Sequence, residues 1–271
     1  MIDQQWEVAA FAAGLVGSVL AWIAAIAGEV FESRSDGPRR RARLRTAYWS
    51  LMAIALLGQS VLLVGLSIAR GTIAVYNQAE FLLAFSWGIG MVTAYFLARR
   101  GPWWVAILAL PVSFLILGYI LLIPGGSGEV SLASLRSVWL LLHILTSIVA
   151  YSAFTVTFGA GLLILLRRYL GVGRRYDPAA VNRVGYRAAV LGFPFMTMVL
   201  FTGALWAKYI GGVYWAWDPI ETWALVTWLI YSAYLHAQYT RGWESVRAAW
   251  LSVIGFACII STYLFFTHFW F

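Results

Sequence analysis

Lysine occurs once in this chain, cysteine once and histidine three times, and only 11% of the 271 residues are charged. Soluble domains carry about 25% charged residues, so a chain this poor in charge and 62% hydrophobic reads as a polytopic membrane protein. The lone Cys258 sits inside an apolar run. That excludes a disulfide framework, a CxxC redox pair and a CxxCH haem-attachment site, so the chain is not itself a c-type cytochrome. GxxxxGK[ST], a nucleophile elbow and HExxH are all missing. The apolar runs lack period-2 alternation, which excludes a transmembrane barrel. Helices are what remains, because lipid offers no water to backbone groups.

Eight apolar runs are long enough to cross a bilayer, at about 20 residues each. They cover roughly 8–30, 47–69, 79–98, 103–123, 137–166, 186–206, 222–240 and 247–268. No basic stretch precedes the first, which is expected to span rather than to be cleaved as a leader. The net charge of +8 sets topology and predicts no nucleic-acid partner. Of the 19 Lys and Arg, 16 fall after odd-numbered spans, in clusters such as Arg39–Arg45 and Arg167–Arg187. Only Arg70, Arg136 and Lys208 fall on the other side. Basic residues stay cytoplasmic, so both termini and the segment before span 7 are expected outside. The Arg clusters also suit contact with anionic lipid.

That outer segment, Trp206 to Trp223, is unlike the rest. It holds Trp206, Trp215, Trp217 and Trp223, Tyr209 and Tyr214, the paired Gly211 and Gly212, Lys208, Asp218 and Glu221. Asp218, Pro219 and Glu221 have the spacing of a helix N-cap, first turn and capping box. An interfacial aromatic belt accounts for the Trp content but not for Trp-x-Trp-Asp-Pro after paired glycines. The three histidines lie near span ends: His143 and His268 at the outer side, His236 near the inner end of span 7. Two imidazoles on facing helices can hold haem iron, and indole faces can hold the flat macrocycle. Zinc is the competing metal; with His143, His268 and Asp218 or Glu221 it would have no sulfur ligand.

The stretch Trp215-Ala-Trp-Asp-Pro-Ile-Glu-Thr-Trp223, followed by Trp228-Leu-Ile-Tyr231 and Tyr234-Leu-His236, resembles the tryptophan-rich WWD haem-handling membrane proteins. Within them it looks most like the CcsA (ResC) family of system II cytochrome c synthetase subunits. The helix that begins at His143 and runs through Tyr151-Ser-Ala-Phe154 is similar to that family's first outer haem-ligand helix. The resemblance runs from Trp139 to the C-terminus. It separates a motif-bearing region, 137–271, with its loop at 206–223, from an N-terminal four-span region, 1–136.

The resemblance implies an all-α protein of the cytoplasmic membrane, or a thylakoid equivalent. It implies that haem b moves to the outer face and is held there by His143 and His268, with His236 at an inner site. Trp206, Trp215, Trp217, Asp218 and Trp223 would line the outer site, and Lys208 is the outer cation beside it. The implied reaction joins haem vinyl groups to the thiols of a CxxCH apocytochrome c, with a CcsB/ResB-type membrane partner. The alternative is a CcmC-type carrier that loads a chaperone without joining haem to protein. A b-type redox cytochrome needs four ligands for two haems, more than three histidines supply; a colourless structural subunit is a further alternative. Two positions depart from the family pattern: Gly211-Gly212 stands where a Trp-Gly pair is usual, and Ile220 where Lys is usual. The sequence around His268 does not follow the family either, so that assignment rests on position.

Overall fold

The computed structural model describes residues 5–32, 38–71, 73–75, 77–99, 101–122, 137–241 and 246–269. The described residues form eight α-helices and no sheet: α1 (Gln5–Glu32), α2 (Pro38–Arg70), α3 (Gln78–Ala98), α4 (Trp104–Ile120), α5 (Val138–Leu170), α6 (Pro178–Gly211), α7 (Pro219–Arg241) and α8 (Val246–Phe269). Six of these, α1, α2, α3, α5, α6 and α8, are long and apolar enough to cross a membrane. Helix α4 is apolar but has only 17 residues, about 25 Å at 1.5 Å per residue. Helix α7 has 23 residues, but it carries Glu221, Thr227, Ser232, His236, Gln238 and Thr240 among its aromatics. This is a multi-pass membrane protein.

Two helices begin earlier than hydropathy predicts. Pro38 opens α2 ahead of the Arg tract. Pro178 opens α6, where the Asp177 side chain accepts from the backbone N–H of Ala179 and Ala180. Hydropathy detects the part of a helix that suits lipid; proline at the first position and an Asp cap detect where the helix starts.

The chain divides into two compact units, residues 1–130 and 131–271. In the first, α1 and α2 approach closely, since a Cβ on Gly17 would lie 2.9 Å from Ala55 Cα. Polar cross-links join the other helices of this unit. Ser86 and Ser113 pair at 2.8 Å between α3 and α4, and Trp87 Nε1 donates to Ser60 Oγ at 2.9 Å between α3 and α2. Buried Tyr48 packs edge-on against Trp103 at 5.3 Å.

The second unit is a bundle of α5 to α8. Its core is the parallel stack of Phe154 and Tyr231, centroids 3.5 Å apart, both fully buried. Glycines make room for it: a Cβ on Gly192 would lie 2.9 Å from the Phe154 ring, and one on Gly255 would lie 2.8 Å from the Tyr231 ring. Toward the basic end, Asn182 of α6 and Gln238 of α7 exchange two amide hydrogen bonds, at 2.9 and 2.7 Å. Satisfying both amides inside the bundle avoids the desolvation cost of an unpaired polar group. The opposite end of this bundle carries the Trp-rich segment.

Candidate functional site

His143 stands in the second turn of α5 and leans on the last turns of α6. Its Nδ1 lies 3.0 Å from the carbonyl oxygen of Val199. That carbonyl can only accept, so Nδ1 carries the proton and donates. In the neutral ring this leaves Nε2 with its lone pair. Nε2 makes no hydrogen bond among the described residues. One turn beyond Val199, Gly203 gives the imidazole its place: a Cβ there would lie 3.0 Å from both Cε1 and Nδ1. One turn further, the Trp206 ring lies nearly parallel to the imidazole, 20° between planes and 6.5 Å between centroids. Val199, Gly203 and Trp206 follow i, i+4, i+7 spacing, one face of α6.

The Trp-rich segment begins where α6 stops. Gly212 adopts the left-handed conformation at φ 76°, and its N–H donates to Lys208 O. Glycine is favoured at such a helix end because it has no Cβ. This gives a backbone reason for Gly212, the glycine of the pair that keeps the family pattern, and none for Gly211. Lys208 turns its ammonium back to the Gly212 carbonyl and over the Tyr214 ring, 5.4 Å from its centroid. The chain's single lysine therefore closes this helix end.

Asp218 caps α7 as its spacing predicts, accepting from Glu221 N–H at 2.8 Å. Glu221 behaves differently from a capping-box residue. In that motif the carboxylate returns to the N-cap N–H. Here one oxygen, Oε2, accepts from Ala216 N–H at 2.8 Å and from Trp217 N–H at 2.9 Å. Trp217 has φ 60°, the one described non-glycine residue with positive φ. Trp217 is 70% exposed, and its ring meets Trp215 edge-on, at 5.7 Å and 81°. Trp215 is half-buried; its Nε1 is buried and makes no hydrogen bond among the described residues.

The structure thus brings His143 and Trp206 together, and builds Trp215, Trp217, Asp218 and Glu221 into one turn at the same end of the bundle. Trp223 is half-buried one turn into α7, and Ile220 is half-buried in that helix's first turn. His236 lies thirteen residues beyond Trp223, roughly 20 Å away along the helix. It is exposed on the side opposite the buried Tyr231, Tyr234 and Ala237. His268 falls in the last turns of α8, where side chains lie outside the described residues. Among the described residues, no three His, Cys, Asp or Glu side chains gather as a metal cluster. Sequence reasoning missed Val199, Gly203 and the true reach of Glu221. The helical spacing of Gly203 to Trp206 is the one signal that could have suggested the first two.

A profile of the family described as "Cytochrome C assembly protein" matches residues 75–270. The chain is 29% identical over 316 aligned positions to "Cytochrome c biogenesis protein CcsA" of Gloeobacter violaceus, covering 94% of this chain and 90% of that one. With the protein of the same name from Prochlorococcus marinus it is 30% identical over 224 positions, 72% of either chain. With that of Chlamydomonas reinhardtii it is 40% identical over 137 positions, 48% of this chain and 38% of the relative. A solved structure titled "Cytochrome c Heme Lyase CcmF" superimposes with a TM-score of 0.67 at 18% identity, over 95% of this chain and 46% of that one. At that identity the likeness is one of fold.

Proposed function

This chain belongs to the cytochrome c assembly protein family, as a CcsA-type member, and from that premise we propose that it brings haem b to the outer face of the cytoplasmic membrane, or a thylakoid equivalent, and presents it for covalent attachment to a CxxCH apocytochrome c. The observation that carries this reading is the state of His143. Its Nδ1 proton is committed to the Val199 carbonyl, which leaves Nε2 as a ready ligand at the end of the bundle where the Trp segment lies. A backbone partner on the far ring nitrogen is how ligating imidazoles are held in orientation. The residues present therefore fit a haem iron ligand beside broad aromatic planes.

In this reading His143 supplies one axial ligand and His268, by its place at the end of α8, the other. Trp215 and Trp217 pack against the macrocycle, Trp206 beside His143 and Trp223 line the same site, and Asp218 fixes the turn that carries the first pair. The buried Trp215 N–H suits an acceptor that arrives with the substrate. His236 belongs to an inner site on the export path. The crowding of 16 of the 19 basic residues on the opposite side supports the outward placement of the Trp segment.

Attachment adds each cysteine S–H across a vinyl C=C. A C–S bond and a C–H bond form, the S–H and π bonds break, and no outside electrons enter. The chain's contribution is to hold haem so that the apocytochrome's own histidine can replace one axial ligand and set its thiols beside the vinyls. Positioning of this kind contributes up to several kcal/mol. A CcsB/ResB-type partner completes the receiving surface.

Co-expression with such a partner and a CxxCH reporter tests the proposal. Covalent haem on the reporter is expected with the parent chain and reduced at least about tenfold with His143→Ala, the usual scale for a disturbed ligand shell. Haem bound to the chain but never joined to the reporter would instead favour the carrier reading.

A further inference from the structure

Glu221 does more than start a helix. Its Oε2 gathers two successive backbone donors, Ala216 N–H and Trp217 N–H, and does so from within α7, a rigid element. The same residue's own N–H is anchored by Asp218 Oδ1. The turn is thus tied at both ends, with the carboxylate reaching across it. Inside that tie Trp217 takes φ 60°, a region unfavourable for a β-carbon-bearing residue that persists where the surroundings over-determine it. What the strained backbone achieves is visible in the rings: Trp217 projects outward, 70% exposed, at right angles to Trp215.

We propose that Glu221 is the positioning residue of the haem-binding turn, its carboxylate holding Trp217 in the left-handed conformation that sets the Trp215–Trp217 ring pair against the macrocycle. The inference rests on the haem reading given above. Glu221 itself need touch no reacting atom. Two backbone N–H groups converge here on one oxygen. The geometry asks for an acceptor at that point more than for a negative charge, so an amide carbonyl in the same place should serve.

Three variants separate the possibilities: Glu221→Ala removes the acceptor, Glu221→Gln keeps an acceptor without charge, and Glu221→Asp withdraws it by one methylene. Two readouts apply to each. The first needs no haem: the exciton circular-dichroism couplet of the Trp215–Trp217 pair, isolated by subtracting the spectrum of Trp217→Phe. The second is titration of the purified protein with haemin, followed at the Soret band. Glu221→Ala and Glu221→Asp are expected to lose the couplet and bind haemin about tenfold more weakly, the scale of one or two lost hydrogen bonds. Glu221→Gln is expected to keep the couplet and bind within about twofold of the parent.

An unchanged couplet in Glu221→Ala overturns the proposal, and so does a Glu221→Gln protein as impaired as Glu221→Ala, which would assign the effect to charge. If Glu221→Ala does not accumulate in the membrane, the Asp and Gln variants carry the same comparison. Failure of the haem reading looks different: the parent itself would bind no haemin while the couplet still followed the Glu221 substitutions.

Discussion

At the scale of single residues, the site depends on positions that have no chemistry of their own. Gly203 is the sharpest case. A methyl group there would meet the imidazole of His143 at 3.0 Å, closer than most side chains accept. The ring would shift from the Val199 carbonyl and its Nε2 would turn with it. Gly203→Ala is therefore expected to weaken haemin binding about tenfold or more, while the helix content of the purified protein stays at the parent level. Unchanged binding would mean that the contact of His143 with α6 does not govern its orientation. The sequence made His143, Asp218 and the Trp cluster visible, because each is a rare residue type in a distinctive place. It could not make Val199 visible: a backbone carbonyl 56 positions away in the chain leaves no mark on composition. Nor could it disclose the φ of Trp217, since tryptophan has no preference for that region and the conformation is imposed by Glu221 from the next helix.

At the scale of elements, each helix of the second unit has two different ends. Helices α6 and α7 meet near their middles through Trp228 Nε1, which donates to Thr197 Oγ1 at 3.0 Å, and through Trp228 stacked on Phe193. Toward the basic end they are tied by the Asn182–Gln238 amide pair. Replacing Asn182 by Leu removes both bonds and takes that partner from the half-buried Gln238 amide, a cost of about 1 kcal/mol. The thermal midpoint of the purified protein should fall by roughly 2–4 °C for each kcal/mol, and the haem spectrum should not change, because the pair lies far from His143. A loss of haem without loss of stability would contradict this division of labour. Helix existence was legible throughout from long apolar runs. Helix starts were legible only where hydropathy and capping agree. At Asp218-Pro219 the two signals coincide, whereas at Asp177-Pro178 the following Asn182, Arg183 and Arg187 hide the helix from any hydropathy reading.

At the scale of the whole molecule, the proposal depends on which side of the membrane the Trp segment faces. The asymmetry of basic residues is strong, and single-cysteine labelling can test it directly. Cys258 is buried and free, so its replacement by Ser gives a clean background. Val213 and Val172 are both about half exposed, in the Trp segment and in the turn between α5 and α6. In intact cells an impermeant maleimide is expected to label Val213→Cys and to reach Val172→Cys only after permeabilisation. The reverse pattern would invert the topology and place the Trp segment inside. Composition alone made the membrane class legible. The apolar runs predict eight crossings, whereas among the described residues six helices are long and apolar enough to cross, α4 being short and α7 polar.

The central claim is that His143 offers Nε2 to haem iron. The most direct test is the absorption spectrum of the purified protein beside that of His143→Ala, each recorded with and without added imidazole. A Soret band and resolved bis-imidazole α and β bands are expected in the parent, lost in the variant and restored when imidazole fills the vacated place. A His143→Ala spectrum identical to that of the parent, indifferent to imidazole, would contradict it.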